Sequence, residues 1–353
     1  LPRFLILGQG LAGTLLAAEL LQAGCSVFLA DPAETNTSSR VAAGMIHPVT
    51  GRRLTKSWRV DEFLPFAIKV YRSHESFLGT TFYHEIKTLE LYKDVANSNE
   101  WMSRSTDPSF LTYMGDACPP SAVPDGIEPG LGGQYLNKGG WLDTSHYLSA
   151  WRNYFTGNGL LVEAEIDESE ITFVSDKAYY KNEIFDFVVD CRGAATARSK
   201  WFGHLPFNMA KGEVLLIACS ELKSESILNK AVKLIPSARE GEFICGATFS
   251  WDELDNIPTE AGKNELTAKI DKLLLLPYRI LQHRAGVRPA TADRRPFIGQ
   301  HTGIKPLYIL NGFGSKGVLL GPWMARTLKE HLLNNAAIPD ELNIRRLLQE
   351  SES

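Results

Sequence analysis

The run Arg3-Phe-Leu-Ile-Leu-Gly8-Gln-Gly10-Leu-Ala-Gly13 leaves a chain few folds to choose from: an apolar run ends in a glycine turn and opens at once onto a second apolar run. Such a turn bends sharply at Gly8, brings bare backbone against a ligand at Gly10, and packs helix on strand at Gly13. The next apolar run, residues 25–30, is closed by Asp31, placed to accept hydrogen bonds from ribose hydroxyls. The spacing predicts a strand, a helix over 11–23 and a second strand. A pyrophosphate would lie on the N–H groups of Leu11, Ala12 and Gly13, where the helix dipole favours anions. A glycine turn alone is a weak signal, but strand, helix and correctly spaced acid together mark a dinucleotide site.

Residues 4–23 are not a membrane span or leader by this reading, because Gly8, Gln9, Gly10, Gly13 and the charged Glu19 interrupt them. The 353 residues suffice for about two domains with real cores. A net charge of -4 gives no overall reason to expect nucleic acid or membrane as partner. Five scattered cysteines with no Cys-x-x-Cys pair signal neither a disulfide framework nor a metal site, so the expected compartment is the cytoplasm.

Further along, helical periodicity is expected over 61–77, strand-like alternation over 81–93, and a loop with a hairpin over 118–140. A helix should start after Gly140-Trp-Leu-Asp-Thr-Ser145, with Asp143 or Thr144 as N-cap. Residues 183–190 read as an apolar strand of a central parallel sheet, running into Cys191-Arg192-Gly193. Residues 211–220 and 242–250 are β-rich, a helix over 263–275 would cover them, and a final helix is predicted over 322–334. The resulting expectation is two interleaved domains: 1–80, 142–203 and 283–345 in a dinucleotide-binding domain, 81–141 and 204–282 in a second, sheet-based one.

Five segments in this order resemble the D-amino-acid oxidase superfamily of FAD-dependent enzymes, which includes glycine oxidase and sarcosine oxidase. They are the opening turn with Asp31, Arg40 with Ala42-Ala43-Gly44, Gly193 after its strand, Gly286-Val-Arg288-Pro289-Ala-Thr-Ala-Asp293, and Asn311-Gly312-Phe-Gly314-Ser315-Lys316-Gly317. Gly312 to Gly317 and Gly139-Gly140-Trp141 are similar above all to the FAD-dependent half of the bifunctional enzymes that mature 5-methylaminomethyl-2-thiouridine in tRNA. The resemblance implies an α/β architecture, a Rossmann-like FAD-binding domain interleaved with a sheet-based substrate domain. It further implies oxidation of the C–N bond of an amine or amino acid, with FAD bound noncovalently, since no cysteine follows Cys245. No nucleophile or metal is needed for such chemistry, which the cofactor carries.

Physical reasoning converges on the same chemistry. A helix N-terminus after Gly312, Gly314 and Gly317, with Lys316 beside it, would stabilise negative charge developing on a reduced flavin. An amino-acid substrate needs a cation for its carboxylate, for which Arg52, Arg53, Arg288 and Lys316 are the candidates. The resemblance places His47 over the flavin ring; a buried structural histidine is the alternative. Arg52 and Arg53, with Lys56 and Arg59, read equally as a solvated basic loop, Arg192 as an interior ion-pair partner, Asp293 as a turn cap, and Trp141 and Trp251 as core. The substrate is then a small amine or amino acid, the same chemistry on tRNA being the alternative, with a nicotinamide-binding dehydrogenase or non-catalytic dinucleotide module as the third reading.

Overall fold

The computed structural model describes residues 1–51 and 53–347, and the chain divides into two compact units. Unit 1 gathers Leu1–Arg40, Ser145–Ala210 and Val287–Ser353; unit 2 gathers Val41–Thr144 and Lys211–Gly286.

Unit 1 is built on a six-stranded sheet in the order Leu161–Glu163, Ser26–Asp31, Arg3–Leu7, Phe187–Asp190, Leu307–Asn311, Phe297–Gln300. The first five run parallel, and the last pairs antiparallel with its neighbour. A strand covered on both faces needs an uninterrupted apolar run, and Phe4, Leu5, Ile6 and Leu7 are all fully buried. Helix Leu11–Gln22 packs against helix Gly317–Asn334. Glu19, buried between them, accepts Arg326 Nε at 2.6 Å and Nη2 at 3.1 Å, so its charge is neutralised where it stands.

Residues 183–190 are not one strand. Glu183–Phe185 closes a small antiparallel sheet with Thr172–Val174 and Lys177–Tyr180, whereas Phe187–Asp190 enters the parallel sheet. The break falls at Asp186, whose carboxylate accepts Arg3 N at 2.7 Å and pairs with Lys177.

Unit 2 centres on an eight-stranded sheet in the order Arg279–Arg288, Ala210–Ala218, Glu242–Gly246, Lys233–Pro236, Ser226–Asn229, Lys87–Leu91, Gly133–Leu136, Met114–Cys118. Leu89, Leu215, Leu228 and Leu234 pack on one face with Leu266 and Ile270 of helix Glu260–Asp271. The alternate residues Ile227, Ile235 and Ile244 point to the opposite face and meet Trp141, Ala43 and Met45.

Residues 41–80, assigned to the first domain from sequence, lie in unit 2. The reason is a short ladder in which Gly140–Leu142 pairs with both Met45–Ile46 and Tyr83–His84. The expected strand over 81–93 is two strands serving two sheets, Tyr83–His84 and Lys87–Leu91. Helix Val95–Ser105, capped by Asp94 accepting Asn97 N at 2.7 Å, has too few apolar residues to announce itself in sequence. The other helices stand near their expected places at Val60–Leu78, Thr144–Gly157, Glu260–Asp271 and Gly317–Asn334. No helix among the described residues is long and apolar enough to cross a membrane.

His74, on helix Val60–Leu78, is 1% exposed, and burial lowers its pKa from 6.5 to about 4. Between those values the unfolded chain takes up a proton that the folded chain refuses, so stability falls as pH drops from the upper value toward the lower. The loss reaches about 3 kcal/mol at the acid end. Urea unfolding at stepped pH should show this acid limb, and His74→Gln should flatten it; an unchanged limb in the variant assigns it to other groups.

Candidate functional site

In unit 1 the turn after strand Arg3–Leu7 lies at the carboxyl edge of the parallel sheet and opens into helix Leu11–Gln22. A Cβ on Gly13 would stand 1.9 Å from the Gly8 carbonyl oxygen, so only glycine lets the helix sit this close to the turn. Gly10 is the N-cap and offers no side-chain acceptor. Ser39 Oγ accepts Leu11 N at 3.1 Å, which engages Leu11 internally at the positive end of the helix.

Asp31 ends the neighbouring strand with its carboxylate largely committed. Oδ2 accepts Gln9 N at 2.8 Å, while Oδ1 accepts Ala33 N at 2.9 Å and Arg152 Nη1 at 2.7 Å. A carboxylate accepts about four hydrogen bonds, so room for a ribose hydroxyl remains. Arg152 also reaches Gln9 Oε1 at 3.1 Å and Glu163 at 3.2 Å. It comes from helix Thr144–Gly157, far along the chain, and has no local motif that ties it to the turn. Arg40 donates to Ser149 Oγ at 3.3 Å; burial and then the charge of Arg152 hold its pKa below the usual guanidinium value.

A second set of segments meets at Asn311, which sequence reasoning passed over as a candidate. Its Nδ2 donates to Gly193 O at 3.0 Å and Thr196 Oγ1 at 2.9 Å, and its Oδ1 accepts Gly312 N at 2.7 Å. Thr196 Oγ1 passes its own hydrogen to Asp190 Oδ1 at 2.8 Å. The ends of strands Phe187–Asp190 and Leu307–Asn311 are thereby locked to each other, and Gly193 and Gly312 with them. Arg192 serves this framework: burial alone would lower its pKa, but Asp190 and Glu168 carry it above the ordinary value.

From Gly312 the chain turns through Gly314 and the exposed Ser315 into helix Gly317–Asn334, with Lys316 as N-cap and Gly317 as first helical residue. Burial, then Arg294 and Arg295, push the Lys316 ammonium below its usual pKa. Gly314 N donates to Pro289 O at 3.1 Å and so fastens the segment of Arg288 to this turn. Burial brings the Arg288 guanidinium down to about 10. Asp293, by contrast, caps a turn, accepting Arg295 N at 2.9 Å and Arg346 Nε at 2.7 Å.

The other expected site residues that are described, Ala43, Gly44, His47 and Arg53, belong to unit 2. Gly44 holds φ +69°, and a Cβ there would fall 1.8 Å from Leu142 O, which explains glycine without a ligand; Ala43 packs at the Trp141 cluster. His47 Nε2 lies 2.5 Å from Glu90 Oε1, and Asn229, the register partner of Glu90, donates to both Glu90 oxygens at 2.7 and 2.9 Å. His47 Nδ1 is buried and has no hydrogen-bond partner among the described residues. Arg52 lies outside the described residues. Arg53 is exposed in the turn between Val49–Thr50 and Thr55–Lys56, while Lys56 pairs with Asp61 and Arg59 with Glu62 at 2.7 Å. Trp141 is core, stacked on His84 at 4.4 Å, whereas Trp251, also expected in the core, is 60% exposed.

The protein-family profile described as FAD dependent oxidoreductase (DAO) matches residues 3–331. Glycine oxidase of Pseudomonas aeruginosa is 25% identical to the chain, over 96% of each. The tRNA 5-methylaminomethyl-2-thiouridine biosynthesis bifunctional protein MnmC of Azoarcus sp. (strain BH72) is 23% identical over 94% of this chain and 56% of that protein. Among solved structures, iminodiacetate oxidase from Chelativorans sp. BNC1 superposes with a TM-score of 0.81, covering 96% of this chain and 98% of that one at 18% identity. At such identity the superposition speaks to the fold.

Asn311→Ala is expected to unlock the two glycine segments, costing about 2 kcal/mol of stability through the abandoned partners and weakening dinucleotide retention about tenfold or more. Denaturant unfolding and cofactor content after dialysis measure both, and full retention in the variant would show that the turns stand without it.

Proposed function

Because the chain belongs to the family of FAD-dependent oxidoreductases, we propose that it oxidises the carbon–nitrogen bond of a small amine or amino acid to an imine, which water then hydrolyses. Bound FAD would supply the acceptor for the hydride of the carbon beside the nitrogen. The residues of unit 1 suit that cofactor: Ala12 and Gly13 for the pyrophosphate, Asp31 for a ribose, and Gly193 with the Gly312 to Gly317 turn for close backbone approach. The positive helix end and Lys316 favour the negative charge that accumulates during reduction. A nicotinamide cofactor is set aside by the family match.

The observation that carries the amino-acid reading is Arg288, a guanidinium drawn into unit 1 and fastened beside the glycine turn by the Gly314–Pro289 hydrogen bond. A planar fork of N–H donors in a low-dielectric setting is the natural receptor for a carboxylate. The substrate amine must shed its proton before its lone pair can assist hydride loss. Arg53, exposed among ion-paired neighbours, is a weaker anchor than Arg288. A glycine unit carried on tRNA obeys the same chemistry and draws its support from the likeness to MnmC. The shared Gly139-Gly140-Trp141 segment adds little to it, since the indole is buried against His84.

Anaerobic mixing with glycine, N-methylglycine, D-alanine and a tRNA bearing the carboxymethylaminomethyl group tests the reading through flavin bleaching. Bleaching by a free amino acid supports it, bleaching by the tRNA alone transfers the substrate to RNA, and no bleaching by any amine overturns it. Arg288→Met should raise KM for an amino acid by about 10- to 100-fold, the worth of a charged hydrogen-bonded contact. Cys245 and the other cysteines are buried, so acid precipitation should leave the flavin in the supernatant; flavin in the pellet would show a covalent link.

A further inference from the structure

Within unit 1, helix Thr144–Gly157 turns one face to the glycine turn. Leu148 and Ser149 stand four and three residues before Arg152, which makes the three neighbours on the helix surface. Each engages a different residue of the first forty. Leu148 O accepts Gln9 Nε2 at 3.0 Å, Ser149 Oγ accepts Arg40 Nη1 at 3.3 Å, and Arg152 Nη1 donates to Asp31 Oδ1 at 2.7 Å. Gln9 lies between Gly8 and Gly10, and Arg40 follows Ser39, whose hydroxyl takes Leu11 N.

Arg152 closes a ring of hydrogen bonds. Its Nη1 also donates to Gln9 Oε1 at 3.1 Å, while Gln9 N donates to Asp31 Oδ2 at 2.8 Å. Gln9 is itself immobile, buried and tied through Nε2 to Thr14 Oγ1 at 3.1 Å as well as to Leu148 O. The Asp31 carboxylate is thus held from both oxygens, and its lone pairs can be assigned. Oδ1 accepts two donors, Ala33 N and Arg152 Nη1, whereas Oδ2 accepts one, Gln9 N. With two lone pairs on each oxygen, the acceptor left for an outside hydroxyl is on Oδ2. Without the guanidinium the carboxyl group could turn about its last bond, since such torsions are broad, and its negative charge would stand uncompensated near a helix end that favours anions. The charge of Arg152 is felt around the turn: after burial, it is the next cause that lowers the Arg40 pKa.

We propose that Arg152 is a positioning residue for the cofactor, turning the Asp31 carboxylate so that Oδ2 accepts a ribose hydroxyl of FAD while cancelling its charge. The proposal rests on the assignment of Asp31 to the ribose.

The test compares FAD with an analogue whose adenosine lacks the 2′-hydroxyl, the group an acid at this position takes. Free flavin after ultrafiltration of the loaded protein at stepped dilution gives both dissociation constants, and thermal unfolding under excess flavin confirms that each variant is folded. Wild-type protein should hold FAD about tenfold more tightly than the analogue, as expected of a hydrogen bond to a charged group. In Arg152→Met the FAD constant should rise about tenfold and the preference should shrink to about threefold or less. Arg152→Lys, which keeps the charge without the fork, should recover part of both. A counter-charge that merely stabilised the fold would leave the preference intact. Discrimination of wild-type size in Arg152→Met, or in Arg152→Lys should the first variant not load, overturns the positioning role alone. Equal retention of the two flavins by wild-type protein instead overturns the assignment of Asp31 to the ribose, and the role of Arg152 with it.

Discussion

The junction of two glycine segments in unit 1 depends on a buried amide. Asn311 uses both ends of its side chain at once, holding Gly193 O and Thr196 Oγ1 with its nitrogen and Gly312 N with its oxygen. Two glycine segments more than a hundred residues apart in sequence thus acquire a fixed spacing. Mobile backbone is what glycine brings to a turn, and here the mobility is removed by a neighbour that is not glycine. Asp190 anchors the network through Thr196, and Arg192 prevents its charge from being stranded in the interior.

The first βαβ unit was legible in residues 3–31 because strand, turn, helix and acid are contiguous and each has a local physical signature. Helix Gly317–Asn334 was legible from its apolar run, although it starts a turn earlier than expected, with Pro322 accommodated inside it. What sequence could not show was set by pairing at a distance. The domain of residues 41–80 follows from the ladder through Gly140–Leu142, and the break at Asp186 from a hydrogen bond to Arg3 N. Arg152, Glu90 and Asn229 belong to no motif, and Asn311 opens one whose glycines drew the attention; the significance of all four lies in the groups they meet. Gly44 shows the converse, since its conformation and its contact with Leu142 explain a residue that the family resemblance assigned to the cofactor.

Unit 2 shows how one sheet can have two characters. Alternation places Leu89, Leu215, Ile217, Leu228 and Leu234 under helix Glu260–Asp271, and Ile227, Ile235 and Ile244 on the opposite face. The helix-side core includes a long series of fully buried side chains, and Glu90 of the same sheet meets His47 and Asn229.

The chain passes from one unit to the other at 40/41, 144/145, 210/211 and 286/287. Because strand Leu307–Asn311 lies beside Phe187–Asp190 within the parallel sheet, a ribosome must deliver about nine-tenths of the described chain before unit 1 can close that sheet. Until then Phe187–Asp190 has an exposed apolar edge, open to pairing with other chains. The consequence belongs to biosynthesis: yield of the folded protein should be governed by how well the nascent chain is shielded, and slower synthesis would prolong the exposure.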